Sequence, residues 1–196
     1  TMSSAGSTQT LSGTNTYTGT TTISAGTISV GVLANGLSSS GIGSSANAAS
    51  NLVLAGGTLK YTGADVTIDR NFTINSGTTG TIEVTTSGAT LTISGAAASS
   101  TGALTKTGAG TLTLSGANAY TGTTTISAGT LKTGRVNAIN SSSAVQIADS
   151  AIWDLGSNVQ SVYSISDVSG STAGAINLGS TTLTIKNTGG TSTTFS

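Results

Sequence analysis

The carboxylates Asp65 and Asp69, in the stretch ADVTIDR, are the side chains whose type and spacing come nearest to chemistry. With Glu83 they could form an acid–base pair or a calcium site, since both need convergent carboxylates. In a strand, residues four apart share a face and lie about 13 Å apart. A retaining glycosidase pair needs about 5 Å, so that reaction does not fit. Asp69 beside Arg70 reads more simply as a solvated charge pair. The GGxGxD pattern of calcium-binding β-rolls is missing.

Other chemistries lack their groups. The chain has no histidine and no cysteine, so a nucleophilic triad has no base and imidazole or thiolate metal sites have no ligands. The run Gly108–Ala109–Gly110 has no lysine or helix after it, which argues against a phosphate loop. Asp149 and Asp154 flank Trp153, and an exposed tryptophan there could stack on a sugar ring. A lone tryptophan more often plugs a core or caps a coil. Thr14, Thr16, Thr18, Thr20 and Thr22 alternate in one segment, and Thr121, Thr123 and Thr125 in another. Regular threonine rows on a flat face would suit ice. Ala117, Ala119, Gly19 and Gly122 interrupt these rows, and β-propensity on a solvent face accounts for them more simply. No catalytic, cofactor-binding or metal-ligating residue is expected, and the chain reads as non-enzymatic.

The composition says what could carry such side chains. Of 196 residues, 28 are glycine, none is proline, and more than a third are serine or threonine. The hydrophobic fraction is 35%, mostly Ile, Leu, Val and Ala. Thr, Ile and Val fit a pleated surface, and a chain without proline can donate backbone hydrogen bonds throughout. Six basic and six acidic residues give zero net charge without a basic cluster, which argues against nucleic acid as a partner. No apolar run is long enough for a membrane-spanning helix. No signal-peptide pattern is visible; a secreted parent would need one, so the chain is expected to be an excised segment of a longer protein.

An internal repeat dominates the organisation. Residues 11–27 read LSGTNTYTGTTTISAGT and residues 114–130 read LSGANAYTGTTTISAGT, an offset of 114 − 11 = 103. Short β-type segments recur throughout, each alternating and closed by Gly, Ser or Asn: GTISV (26–30), GTLKY (57–61), ATLTIS (89–94), GTLTLS (110–115), SVYSI (161–165) and TTLTIK (181–186) are examples. Alternation puts Leu112 and Leu114 on one face and Thr111 and Thr113 on the other. Uniform aliphatics, small turns and self-similarity favour a solenoid over a sandwich. At roughly 20 residues per coil, about eight or nine coils are expected. The core candidates are Ile23, Ile28, Leu112, Leu114, Ile126, Leu131, Val145, Ile147, Leu183 and Ile185. Asn15 and Asn118 occupy matching sites, as ordinary turn asparagines or as rungs of a ladder between coils. Exposed strand edges at the two ends would allow end-to-end self-association.

The stretch LTKTGAGTLTLSGANAYTGTTTISAGTL (104–131) resembles the autotransporter-associated β-strand repeat, also called the passenger-associated transport repeat. TLSGTNTYTGTTTISAGTI (10–28) matches its later two thirds but has TMSSAGSTQ in place of the opening LTKTGAG. Residues 142–170 are similar to the spacer that follows the motif. The resemblance implies one segment, 1–196, of all-β right-handed parallel β-helix. It implies a secreted or cell-surface passenger of Gram-negative type V secretion, a stalk that aids outward transport and folding. A translocator barrel would be the partner, outside this chain, and a host-surface or glycan ligand stays open. An adhesive or ice-binding surface, or an enzyme of polysaccharide-lyase type, are the alternatives.

Overall fold

The computed structural model describes residues 1–168, 170 and 174–186, so Ser169 of the spacer lies outside the described residues. The strands, in chain order, are β1 (Thr8–Leu11), β2 (Thr21–Ile23), β3 (Thr27–Val30), β4 (Leu52–Leu54), β5 (Thr58–Tyr61), β6 (Val66–Ile68), β7 (Thr73–Ile74), β8 (Thr79–Val84), β9 (Thr90–Ile93) and β10 (Ala103–Thr107). They continue as β11 (Thr111–Leu114), β12 (Thr124–Ile126), β13 (Thr130–Thr133), β14 (Ala144–Ile147), β15 (Ile152–Asp154), β16 (Gln160–Val162), β17 (Ser164–Asp167), β18 (Ala175–Asn177) and β19 (Leu183–Ile185). A single 3₁₀ turn, Ala49–Asn51, is the only helix among the described residues.

The strands stack as a parallel β-solenoid. One sheet runs β1-β3-β5-β8-β10-β12-β14-β17, and a second runs β18-β15-β13-β11-β9-β6. Two short sheets, β2-β4-β7 and β16-β19, complete the four, and the pairings within them are parallel. Parallel neighbours cannot be joined by a tight hairpin. The chain meets this by passing once round the other faces before returning to each sheet, which is the solenoid.

Alternation fixes what lies inside. In the second sheet Val66, Leu91, Leu112, Leu131, Trp153 and Ile176 are in register, as are Ile68, Ile93, Leu114 and Thr133. In the first sheet Ile28, Leu59, Ile82, Lys106, Ile126 and Ile147 form one inward column. Its five aliphatic members are all buried, and full burial of such a side chain contributes about 1.5–3 kcal/mol. Of the expected core, Ile23, Ile28, Leu112, Leu114, Ile126, Leu131, Val145 and Ile147 are buried.

Two expected core residues are corrected. Ile185 is 45% exposed and Leu183 is only partly buried. Both sit on β19, which pairs only with β16 among the described residues, so no further described coil covers that face. Two boundaries also differ. Thr8–Leu11 is a strand that starts before the first copy's boundary at Thr10, and SVYSI splits into β16 and β17 at Tyr163, which is 49% exposed.

The two repeat copies do not lie on the same faces. β2 and β3 are in the short sheet β2-β4-β7 and in the first sheet; their counterparts β12 and β13 are in the first and second sheets. The offset is 103 residues for both pairs, 124 − 21 and 130 − 27. The motif therefore encodes a corner, strand–SAG–strand, and not a particular side. Gly26 and Gly129 turn that corner at φ 68 and φ 63, a left-handed backbone that favours glycine. Each copy also repeats one contact: the tyrosine hydroxyl lies 2.8 Å from Thr21 Oγ1 at Tyr17, and 2.7 Å from Thr124 Oγ1 at Tyr120.

Leu131→Ala should lower stability by about 2–5 kcal/mol, because it opens a cavity in a continuous column. Thr125→Ala, on the outward face of β12, should change it by less than about 0.5 kcal/mol. Urea unfolding of the two variants checks this.

Candidate functional site

The regular coils advance by similar lengths. Along the first sheet the outward ladder is Thr8, Thr27, Thr58, Thr81, Thr105, Thr125, Gln146 and Ser166. Successive steps are 19, 31, 23, 24, 20, 21 and 20 residues, by subtraction of those positions. The long step, 58 − 27 = 31, holds a loop between β3 and β4 and is the main departure from the repeat.

Arg70 organises that loop. It follows β6, yet its side chain is 2% exposed. Nε donates to Ala34 O at 2.8 Å, and Nη1 donates to Ser45 O at 3.2 Å and Ser45 Oγ at 3.1 Å. Nη2 faces Gly43 O at 2.7 Å, Ser38 O at 3.2 Å, Asn35 O at 3.3 Å and Ser40 Oγ at 3.4 Å. A guanidinium offers five N–H donors in a rigid fork, which suits a loop with many inward carbonyls. Burial pushes its pKa down from the ordinary value, and the nearby Asp69 and Tyr17 oppose that shift.

This corrects the solvated-pair reading of Asp69 and Arg70. Asp69 Oδ1 accepts from Gly36 N at 2.7 Å, and its Oδ2 accepts from Asn47 Nδ2 at 3.5 Å. The two adjacent charged residues each hold the loop backbone, from different atoms.

Lys106 is the second buried cation. Alternation in β10 turns it inward with Leu104, in register between Ile82 and Ile126, and it is fully buried. Its Nζ donates to Thr107 O at 2.6 Å, Gly108 O at 2.8 Å and Ala128 O at 3.1 Å. One ammonium so joins the corner TGAG to the SAG corner of the next coil. Burial pulls its pKa down to about 8, against the opposing pull of Glu83.

The other sequence candidates fall apart as a site. Asp65 Oδ1 accepts from Thr90 N at 2.8 Å, and Glu83 pairs with Lys60 at 3.1 Å. Each of the three carboxylates serves a different neighbour, and no group of three acidic side chains that could hold a metal occurs among the described residues. Trp153 is fully buried between Leu131 and Ile176, so it offers no platform to a sugar. Asp154 pairs with Lys132 at 3.5 Å and accepts from Gly156 N. Asn118 is more than a turn residue. It accepts from Ala97 N at 2.8 Å and donates to Ala138 O at 2.8 Å, spanning the coils before and after its own. Asn15 donates to Gly41 O at 3.0 Å.

The threonine rows also run differently. Thr14, Thr16, Thr18 and Thr20 lie outside strands, and Thr21 is buried. The real rows cross the coils. Six successive threonines, from Thr8 to Thr125, line the first sheet. Thr90, Thr111 and Thr130 line the second, beside Thr67, Thr92 and Thr113. No described helix is long and apolar enough to cross a membrane.

A sequence-family model described as the passenger-associated transport repeat matches residues 6–30 and 104–132. The chain thus carries two stretches similar to the autotransporter passenger repeat. Its class is that of secreted or cell-surface proteins. The chain is also similar to the Adhesin BmaC autotransporter of Brucella suis biovar 1 (strain 1330), 44% identical over 118 residues. That match takes in 60% of this chain and 3% of the relative's length. No solved structure matches. The matched residues 104–132 of the passenger repeat contain Lys106 and Asn118, the inner groups that fasten one coil to the next. Alternation with Leu104 was the signal that could have placed Lys106 inside. Arg70 had no such signal, since its partners are 25 to 36 residues away.

Arg70→Ala should cost at least about 3 kcal/mol, because several buried carbonyls lose a charged donor together. Hydrogen exchange should show lost protection across residues 34–45 before the coils after β8 are affected. For Lys106 the folded pKa lies below the unfolded one. Between about pH 8 and 10.5 the unfolded chain therefore holds more protons, and stability should rise with pH across that window. Urea midpoints measured for the wild type and Lys106→Met check this: the variant should lack this contribution.

Proposed function

We propose that this chain is a non-enzymatic stalk and display segment of a larger surface passenger, and that its coils assist outward transport by folding one on another outside the cell. The observation that carries this reading is the unbroken apolar column Val66, Leu91, Leu112, Leu131, Trp153 and Ile176 of the second sheet, beside the first-sheet column from Ile28 to Ile147 that only Lys106 interrupts. Each coil presents an apolar surface and a row of free backbone groups to the next. A folded coil is thus a template for the following one, and nearest-neighbour stability accumulates along the stack. Contacts from coil to coil span about twenty residues, so closure entropy per coil is small. Folding outside a pore would then resist backward sliding. The low charge content, six basic and six acidic residues, spares the desolvation that a charged chain would suffer in transit.

A second reading gives the same segment an adhesive face. The outward threonine ladders are a regular hydroxyl surface, and a relative is named an adhesin. Threonine hydroxyls both donate and accept, which suits a polar ligand such as a glycan. The two readings are compatible, since a stalk can be decorated on its outside.

The test uses the full parent protein on intact cells. Leu131→Ala should reduce protease-accessible passenger at the surface several-fold, and Thr105→Ala should leave it unchanged. Equal display of the two variants would separate folding of this segment from export and overturn the transport reading. Loss of cell or glycan binding by Thr105→Ala, with display intact, would support the adhesive face.

A further inference from the structure

The loop of the long coil contains Asn35–Gly36, the sole Asn–Gly pair in the sequence. We infer that this pair is a site of spontaneous covalent modification and that Asp69 holds it unreacted. The reaction is intramolecular. The Gly36 amide nitrogen attacks Asn35 Cγ and gives up its proton to solvent. The bond from Cγ to the side-chain nitrogen breaks, and ammonia leaves a succinimide. Water then opens the ring at either carbonyl, to aspartate or isoaspartate. The net exchange is water in and ammonia out, without an oxidant or reductant. Glycine at the following position favours the attack because no Cβ obstructs it.

The fold requires both members of the pair. A Cβ on Gly36 would lie 2.6 Å from Asn47 N and 2.8 Å from Asn47 Cβ, so only glycine fits against that backbone. Asn35 Oδ1 accepts from Asp69 N at 3.0 Å, a contact that needs a short side-chain acceptor. The hazard therefore comes with the loop's own packing.

The same contacts restrain it. Asp69 Oδ1 accepts the Gly36 N–H at 2.7 Å, which fixes the direction of the attacking nitrogen. The electrophilic amide is tied to the backbone of that same Asp69. Asn35 O is held by Ser38 N at 3.1 Å and faces Arg70 Nη2 at 3.3 Å; Leu37 N donates to Ser45 O at 3.0 Å. Ring closure has to bring the Gly36 nitrogen onto Asn35 Cγ against both contacts that Asp69 makes. The Leu37 backbone shows how firmly the turn is set: its φ is 67 in a residue 79% exposed, a left-handed conformation unfavourable for a non-glycine residue. Once formed, an aspartate at position 35 would place a second carboxylate against Asp69 and weaken the pin.

Peptide mass spectrometry of the folded chain during incubation at mildly alkaline pH tests this, by following amide-to-acid conversion at position 35. Asp69→Ala should convert on the order of tenfold faster than wild type, as loss of one charge-assisted hydrogen bond implies. Asp69→Asn, which keeps an acceptor oxygen, should fall between them. Conversion at Asn75–Ser76 and Asn140–Ser141 reports on general unfolding and should stay at the wild-type rate. If Asp69→Ala unfolds, the wild type decides alone: folded protein should convert at least several-fold slower than the same chain in urea. Equal rates folded and in urea would overturn the inference. So would slower conversion in folded Asp69→Ala, which would make the carboxylate a base and not a restraint.

Discussion

Everything in this molecule depends on aliphatic side chains stacking in register along the solenoid axis. The column through Ile28, Leu59, Ile82, Ile126 and Ile147, interrupted only by Lys106, sits behind strands of three to six residues. None of those strands could stand alone, since a short strand without neighbours leaves its backbone groups unpaired and its apolar face wet. Stability is therefore a property of adjacent coils. Turn sequences can drift, and strands can change face, so long as the inward residues keep meeting.

The corners pose the opposite problem. Each coil bends sharply, and sharp bends aim carbonyls inward where water is scarce. An inward carbonyl needs a donor or it costs about 1–3 kcal/mol. The chain meets this with a few long polar side chains. Lys106 serves three carbonyls at two successive corners, Asn118 bridges three coils, and Arg70 gathers the carbonyls of the enlarged loop. Gln160 does the same further along, donating to Arg135 O at 2.6 Å. These groups are buried polar residues with full sets of partners, which is the condition under which burial is tolerated. Removing one does more harm than removing a surface charge, because several carbonyls lose their donor at once.

Much of this was legible in the residues. Alternation in GTLTLS and ATLTIS put Leu112, Leu114, Leu91 and Ile93 inside, and the structure agrees. The aliphatic uniformity pointed to a solenoid for a sound reason: a stack of similar coils needs similar side chains in each. What failed was local reading of non-local facts. Arg70 next to Asp69 looked like an ion pair because adjacency is visible in sequence, whereas the loop carbonyls that claim the guanidinium are not. The threonines of 14–22 looked like a strand row for the same cause, although the ordered rows are perpendicular to the chain. Leu183 and Ile185 alternate just as Leu112 and Leu114 do. Alternation tells which way a side chain points and cannot supply the coil that covers it.

The repeat itself shows how little of a solenoid's geometry is local. Seventeen nearly identical residues build the same corner, with the same tyrosine-to-threonine contact, on two different pairs of faces. Their surroundings also differ: Tyr120 is fully buried with its hydroxyl pKa pushed up to about 12 by desolvation, whereas Tyr17 is 40% exposed. The motif specifies strand, turn and strand; the lengths between motifs decide the face. A coil lengthened to 31 residues disturbs nothing downstream, since β5 still meets β3 and β8 in register. Insertions of this kind are tolerated because closing a longer loop adds little entropy. A stack whose coils must be alike inside can therefore be varied outside, one loop at a time, and the loop pinned by Asp69 and Arg70 is such a variation.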